Sequence, residues 1–487
     1  MSGLLVAGTT SDAGKSVVTT GLCRAFARRG VSVAPYKAQN MSNNSMVCAG
    51  RDGVAAEIGR AQWVQALAAG VAPEPAMNPV LLKPGSDRRS HVVLLGQPAG
   101  EVSSSDWEAG RRHLAEAAHA AYDDLASRFD VIVAEGAGSP AEINLRAGDY
   151  VNMGLAQHAS LPTIVVGDID RGGVFAAMYG TLALLSPEDQ ELIAGFVVNK
   201  FRGDASLLAP GLRQLEELTE RRVFGVLPWD PTLWLDSEDA LDLEGRRGGS
   251  AARKVAVVRL PRISNFTDVD ALGIEPELDV VFVSDPRDLG DADLVVLPGT
   301  RATISDLAWL RSRGLDVAIA EHARRGKPVL GICGGCQMLG RSISDPEGVE
   351  GPAGSVVEGL GLLEHTTTFD PVKTLVLHEP AGYEIHHGRV TGETARATVT
   401  ATMVHGSLED DATRARYLAE ALGVTSRASF PAARQRRIDL IADLVEEHLD
   451  VDALLRLAQD GAPIRRAGSP HSARGEAPLG GVGAVSG

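Results

Sequence analysis

Two short segments carry residue types and spacings that could do chemistry. The first, Gly8 to Ser16, reads GTTSDAGKS directly after an apolar run and directly before a helical pattern. A backbone that curls its N–H groups around phosphates needs glycine where it approaches the ligand, here Gly8 and Gly14 on either side of Thr9 and its neighbours. Lys15 would supply a point charge for the outer phosphates, Ser16 a hydroxyl for Mg²⁺, and the helix start a further partial positive charge. The second segment, GICGGC, places Gly331, Cys333 and Gly335 as G-x-C-x-G between an apolar run and a helical one. That is the thiol form of a nucleophile elbow, in which a sharp turn exposes the nucleophile and flanking glycines relieve crowding. The backbone N–H of Gly334, and one from Gly299 in LPGT, are candidates for an oxyanion hole.

Supporting groups fall at the ends of apolar runs, where an open α/β sheet gathers its ligand contacts. Lys37 follows VSVAPY, Glu135 ends DVIVAE, Asp168 and Asp170 end LPTIVVGDID, and Asn199 and Lys200 end GFVVNK. Glu135 can hold Mg²⁺ directly or through water, and Asn199 is placed to read a nucleotide base. Each residue alone would pass for a solvated strand end; their joint placement carries the argument.

A cysteine nucleophile needs a base. His405 in TMVHGSLED is the candidate, with His386 and His387 in GYEIHHGR as competitors. A carboxylate two residues after the histidine would complete a triad, but Ser407 stands there, so the sequence points to a dyad or to Glu409 as the orienting group. Cys333 and Cys336 also spell C-x-x-C. Zinc would need a second pair, which Cys23 and Cys48 do not form, and a redox dithiol leaves the rest of the chain unexplained.

The elements that must position these residues are legible as alternating patterns. GLLVAGTT, VSVAPYK, DVIVAEGAG, LPTIVVGDID, GFVVNKF and VFGVLPW read as buried strands, separated by helical stretches. In residues 15–29, for example, Val18, Leu22, Ala25 and Phe26 share one face and Gly30 can end the helix. A polar, glycine-rich stretch at 236–252 reads as a linker. A second strand–helix series follows, with KVAVVRL, DVVFVSD, ADLVVLPG and KPVLGIC, and closes with the helical RRIDLIADLVEEHLDVDALLRLA. Residues 461–487 are too rich in Gly, Ala, Pro, Ser and Arg to offset their ordering entropy and read as a disordered tail. The expected architecture is α/β with two doubly wound domains: a phosphate-loop domain over 1–235 and a flavodoxin-like thiol domain over 253–460 with the C-terminal helices.

The bulk numbers narrow the class. A chain of 487 residues exceeds one ordinary core, and a net charge of −16 argues against nucleic-acid binding, because a phosphate backbone would be repelled. No apolar run is long enough to span a bilayer, and MSGLLVAGTTSDAGKS has no charged start or long apolar core, so neither a membrane nor a targeting segment is expected. Four cysteines in so long a chain make no disulfide framework, which fits the cytoplasm.

Two resemblances then sharpen the reading. The five residues between Gly8 and Gly14, where the usual phosphate loop has four, are similar to the dethiobiotin-synthetase type of loop. The thiol segment resembles class I glutamine amidotransferases, and the fusion suggests a glutaminase feeding ammonia to a carboxylate that ATP activates as an acyl phosphate. PYKAQNMSNNS, EIGRAQ, MNPVLLKP, EGAGSPAEINL, DYVNMGLA, VGDIDRGGVFA, VVNKFRGD, LPRISNFTDVD, LPGT and GYEIHHGR together resemble the cobyric acid synthase family from about Gly3 to about Ala458. That resemblance implies amidation of the b, d, e and g carboxylates of adenosylcobyrinic acid a,c-diamide with glutamine, ATP and Mg²⁺, and no tightly bound prosthetic group. Cys333 would be the nucleophile and His405 the base, with Lys15, Ser16 and Glu135 holding MgATP. The corrinoid would lie near Asn40, Asn43, Asn44, Arg60, Gln62, Asp149 and Arg171. The family differs at two places: Cys336 stands where relatives carry an aromatic residue, and TMVHGSLED is less apolar than the usual histidine segment. Rival readings are the related cobyrinic acid a,c-diamide synthase, a cell-wall amidotransferase of the same plan, and a ParA-like ATPase switch, which leaves the thiol segment idle. No oligomeric state is assigned.

Overall fold

A computed structural model of the chain describes residues 2–50, 53–86, 89–103, 111–230, 253–378 and 381–461. The expected linker at 236–252 and the expected tail, beyond Gly461, lie outside the described residues.

All six apolar runs of the first half join one parallel sheet. Its order is Arg222–Pro228, Ile193–Phe201, Thr163–Asp168, Gly3–Gly8, Val131–Glu135, Val33–Tyr36. Successive side chains of a strand face opposite sides, and both sides are covered. Leu5, Ala7, Ile132 and Ala134 enter one core; Leu4, Val6, Val131 and Val133 enter the other. The phosphate-loop strand therefore lies inside the sheet, with Glu135 ending the strand on one side and Asp168 the strand on the other.

The same domain carries structure that the apolar runs did not announce. Gln39–Met41, Val80–Ser86, Arg89–Leu94 and Gln97–Ser103 form a second, four-stranded sheet, and Ser45–Ala49 pairs with Ala55–Gly59 as a hairpin. This hairpin packs on the long strands Thr366–Leu377 and Tyr383–Thr391 of the second domain. Met46, Val47 and Ile58 share a core with Tyr383 and Ile385 across that boundary.

The second domain is built on the order Leu278–Val283, Arg253–Val258, Leu294–Leu297, Val329–Ile332, Val399–Thr402, Ala395–Arg396, parallel except for the last pairing. A smaller sheet of Ser355–Glu358, Ser342–Asp345, Thr366–Leu377 and Tyr383–Thr391 sits beside it.

The division at 253–460 needs one correction. The helices Phe430–His448 and Val451–Asp460 return to the first domain, where Ile438, Val445, Leu449 and Leu454 pack with Leu4, Val18 and Leu22. Gly21 on the helix Lys15–Arg28 makes this possible, since a Cβ there would meet Val445 Cγ2 at 2.4 Å. Arg28 adds ion pairs to Asp443 and Glu446 at 2.6 and 2.8 Å. An amphipathic pattern announces a buried face but not its partner; here the partner is the phosphate-loop helix.

Candidate functional site

The nucleophile elbow forms where strand Val329–Ile332 meets helix Gly334–Leu339. Cys333 holds φ +51° and ψ −106°, a conformation that costs a side-chain-bearing residue energy and is tolerated where the surroundings enforce it. Its N–H donates to Thr402 O at 2.8 Å, and the N–H of Gly335 donates to Pro298 O at 3.1 Å. The glycines around it are sterically required. A Cβ on Gly335 would lie 2.0 Å from Leu297 O, on Gly334 2.6 Å from Thr300 Cγ2, and on Gly299 2.9 Å from His405 Cε1. Adjacent strand ends thus bring Gly299, Cys333 and His405 to one place.

His405 is the histidine at this site. Its Nδ1 lies 2.6 Å from Asp268 Oδ2, and the N–H of Gly406 donates to Asp268 Oδ1 at 2.8 Å. Tyr383 stacks on the imidazole with ring centroids 5.4 Å apart, and the two residues exchange backbone hydrogen bonds at 2.8 and 2.9 Å. Burial alone would disfavour the imidazolium, yet Asp268 and the neighbouring Cys333 carry His405 from 6.5 up to about 10. The orienting group is therefore Asp268, and neither the dyad nor Glu409 describes the site. Glu409 instead pairs with Arg60 and Arg434 at 2.9 and 2.7 Å. Asp268 lies 137 residues from His405 in a short turn after the first strand of its domain; the only trace in the sequence is the motif LPRISNFTDVD. Of the competing histidines, His386 pairs with Glu384 at 2.7 Å and His387 with Asp370 O at 2.9 Å. Burial pushes His387 down to about 4. Cys336 is fully buried beneath the elbow, and burial pushes its thiol up to about 12.

In the other domain Gly14 takes φ +94° at the start of helix Lys15–Arg28, and Asn199 Nδ2 sits so close that a Cβ on Gly14 would meet it at 2.0 Å. Asn199 donates to Ala13 O at 2.9 Å, so it braces the loop itself. Lys15 Nζ curls over the loop to Thr10 O and Ser11 O at 2.8 and 3.0 Å. Ser16 Oγ donates to Glu135 Oε1 at 3.0 Å, where Lys37 Nζ also arrives at 2.8 Å; Gln65 donates to Glu135 Oε2 at 2.6 Å. Burial opposes ionisation of Glu135, but Lys37, Gln65 and Lys15 hold its carboxyl below the ordinary range. A hydroxyl and an ionised carboxylate 3.0 Å apart at a phosphate loop are hard oxygen donors suited to Mg²⁺. Such an ion takes one or two protein ligands and completes its shell with phosphate and water, so these residues fit it.

The corrinoid candidates do not gather on one surface. Asn40, Arg60 and Gln62 are buried: Asn40 donates to Gln62 Oε1 at 3.0 Å, and Arg60 reaches across to Glu409. Asp149 uses both oxygens on the N–H groups of Val151, Asn152 and Gly154 at 2.8, 2.9 and 3.1 Å, a role in folding its loop. Arg171, after the strand Thr163–Asp168, pairs with Asp12 of the phosphate loop at 2.8 Å, while Lys200 meets Asp168 at 2.9 Å. Asn44 is buried, its N–H bonded to Ser42 Oγ at 2.9 Å. Asn43 alone of the group lines the cavity above Cys333.

That cavity lies between the domains. Asn43 and Lys83 of the first domain face Cys333, Gln337 and His405 of the second. Its rim is tied by Glu57, which is fully buried and pairs with Lys83 of its own domain and with Lys373 of the other, the latter at 2.6 Å. The Ser45 N–H donates to Asn265 Oδ1 at 3.0 Å across the same seam. Among the described residues no helix is long and apolar enough to cross a membrane.

Comparison with known proteins gives both halves a relative. The profile of the CobB/CobQ-like glutamine amidotransferase domain matches residues 254–421, and that of the CobQ/CobB/MinD/ParA nucleotide binding domain matches residues 4–242. A cobyric acid synthase of Mycolicibacterium gilvum is 72% identical over 95% of this chain and 97% of its own length. One from Mycolicibacterium vanbaalenii is 71% identical over 96% and 100%, and one from Mycobacterium tuberculosis is 71% identical over 95% and 98%.

Proposed function

The chain belongs to the cobyric acid synthase family, and on that premise we propose that it uses glutamine and ATP to amidate the b, d, e and g carboxylates of adenosylcobyrinic acid a,c-diamide in the cytoplasm. The observation that carries this reading is the pairing of a buried Cys333–His405–Asp268 site with a phosphate loop whose Ser16 meets Glu135, in two domains that share the cavity above Cys333.

The reaction divides between the two sites. Cys333 Sγ attacks the carboxamide carbon of glutamine, with the N–H groups near Gly299 and Gly334 receiving the charge on oxygen. His405, held as a cation by Asp268, passes its proton to the departing ammonia. Water deprotonated by His405 then cleaves the thioester and frees glutamate. In the first domain Lys15 and the loop N–H groups bind the ATP phosphates. Ser16 and Glu135 would hold Mg²⁺, which when bound neutralises charge on the phosphates. The corrinoid carboxylate attacks the terminal phosphorus, ADP leaves, and ammonia displaces phosphate from the acyl phosphate to give the amide. Each cycle consumes one glutamine, one water and one ATP per carboxylate.

Incubation of the protein with adenosylcobyrinic acid a,c-diamide, glutamine and MgATP, followed by mass spectrometry, tests the proposal. The expected result is four successive replacements of OH by NH₂. An unchanged corrinoid, with ATP consumed only when glutamine is present, would move the enzyme to another carboxylate; ATP hydrolysis with no release of ammonia from glutamine would overturn the ligase reading.

A further inference from the structure

Glutamine offers its amide at one end and a zwitterion at the other. A glutaminase that admits only this amide must meet both charges, because an unpaired ammonium or carboxylate in a closed site is costly. The cavity above Cys333 is lined by three basic side chains, Lys83, Arg301 and Lys373, and by one carboxyl group, Glu350. Lys83 and Lys373 are both committed to Glu57. Arg301 and Glu350 are left facing the cavity, a guanidinium and a carboxyl group.

Glu350 is held there by a turn built for the purpose. Asp345, fully buried, accepts the N–H groups of Val349, Glu350 and Gly351 at 2.8, 2.9 and 2.8 Å. Gly348 makes the turn at φ +79°. The Glu350 carboxylate then rests on the start of helix Thr303–Ser312, accepting from Thr303 Oγ1 and from the N–H of Ile304, both at 3.3 Å. Thr303 Oγ1 also lies 3.1 Å from Gln337 Oε1, one turn after Cys333, so Glu350 and the nucleophile helix share an anchor. Two long contacts leave a carboxylate with acceptor capacity to spare. Burial pushes Glu350 up to about 7, with Arg301 pulling the other way; a cation arriving in the cavity would favour its ionised form.

We propose that Glu350 receives the α-ammonium of glutamine and Arg301 its α-carboxylate, so that this pair selects glutamine over primary amides lacking the amino group. The assignment rests on the glutaminase reading of Cys333 and adds a specificity determinant to it. Glu350 is a binding residue, and its substitution acts on recognition rather than on proton transfer.

The test compares two substrates of the full-length enzyme, glutamine and 4-carbamoylbutanoate, which is glutamine without its amino group. Wild type should favour glutamine by roughly 10- to 100-fold in kcat/KM, the range of one charged hydrogen bond. Glu350→Gln should lower kcat/KM for glutamine by a similar factor, mainly through KM. It should leave 4-carbamoylbutanoate hydrolysis within about threefold, and Glu350→Asp should recover part of the preference. Amidation driven by added ammonia reports that the fold is intact. A Glu350→Gln enzyme that keeps the wild-type preference, or loses both amides alike, overturns the assignment while leaving the glutaminase standing. A wild type that frees no ammonia from glutamine overturns both.

Discussion

Replacing Asp268 with Asn tests the glutaminase geometry most directly. The carboxylate lies 2.6 Å from His405 Nδ1 and accepts the Gly406 N–H at 2.8 Å. An amide of the same shape can keep the second bond with its oxygen, which turns its NH₂ toward Nδ1. Nδ1 must then accept, the proton moves to Nε2, and the neutral imidazole can no longer take a proton from Cys333. The structure also sets an electrostatic scale. Burial opposes the imidazolium, yet Asp268 and Cys333 raise His405 from 6.5 to about 10. At about 1.36 kcal/mol per unit this is on the order of 5 kcal/mol, shared between the two partners. A loss of ~2.7 kcal/mol corresponds to about 10²-fold in rate, and the wrong tautomer adds to that; in a serine protease the equivalent change costs ~10⁴. Glutaminase kcat should therefore fall by about 10² to 10⁴, read as glutamate released in the presence of MgATP and corrinoid. Ammonia-driven amidation should stay within about twofold. A glutaminase kcat within tenfold of wild type would refute the idea that Asp268 fixes the tautomer and charge of His405.

The other predictions separate the two sites and probe the seam. Lys15→Ala should abolish ATP-dependent amidation, measured with either glutamine or ammonia, while some glutaminase persists; unchanged amidation would remove the phosphate loop from the mechanism. Glu409→Gln leaves Arg60 and Arg434 as buried cations without their carboxylate, so thermal unfolding should show a loss of about 3 kcal/mol; glutaminase kcat should hold within tenfold, since Asp268 orients His405. Glu57 is a pH-sensitive tie. Burial pushes its carboxyl up, but Lys373 and Lys83 together hold it down at about 2. A depressed carboxyl contributes stability that is present above its ordinary value of 4.5 and lost as pH falls through about 2. Wild type should thus lose stability on acidification below that ordinary value, and Glu57→Gln should show a smaller loss from a lower starting point, both read from denaturant midpoints. Cys336→Ala should leave all activities intact, whereas Cys336→Ser should cost about 1–3 kcal/mol by placing a hydroxyl in a fully buried site; bound zinc released by either change would revive a metal role.

What the sequence made legible follows a physical divide. A strand buried on both faces must be apolar throughout, so all six strands of the first parallel sheet could be read directly. The second sheet of that domain, and the hairpin Ser45–Gly59, could not, because their strands carry Glu57 and Lys83 at buried positions and buried Arg60 follows directly. Such charges look like surface until the opposite charge, hundreds of residues away in Lys373 or Glu409, is folded against them. Cys333, Lys15 and Ser16 were readable because elbow and phosphate loop are local chemistry. Asp268 was not, since a triad's orienting group is fixed by the order of strands in space, and here it lies 137 residues from His405 along the chain. Arg60 and Gln62, polar residues near a strand end, are buried: Arg60 pairs across the seam with Glu409, and Gln62 accepts from Asn40.

The seam explains why those residues are polar at all. Arg60 and Gln65 sit on one short helix, Arg60–Ala69. At its start Arg60 grips Glu409, four residues beyond His405; one turn further on, Gln65 donates to Glu135, the carboxylate shared by Ser16 and Lys37. A hydrophobic helix could have filled the same volume more cheaply, because a buried ion pair offsets its desolvation only with good geometry. The directional Arg60–Glu409 pair adds to the apolar packing of Met46, Val47 and Ile58 on Tyr383 and Ile385, which also holds one domain on the other. The two helices after Ser429 add a second tie by returning to the phosphate-loop helix, so the chain leaves the first domain after Pro228 and comes back to it along the helix Phe430–His448, from Ile438 onward. A module tethered at both ends, and keyed at the middle by Arg60 and Glu57, keeps the cavity above Cys333 facing Asn43 and Lys83. That arrangement suits an enzyme whose intermediate is an uncharged amine that bulk water would protonate and disperse.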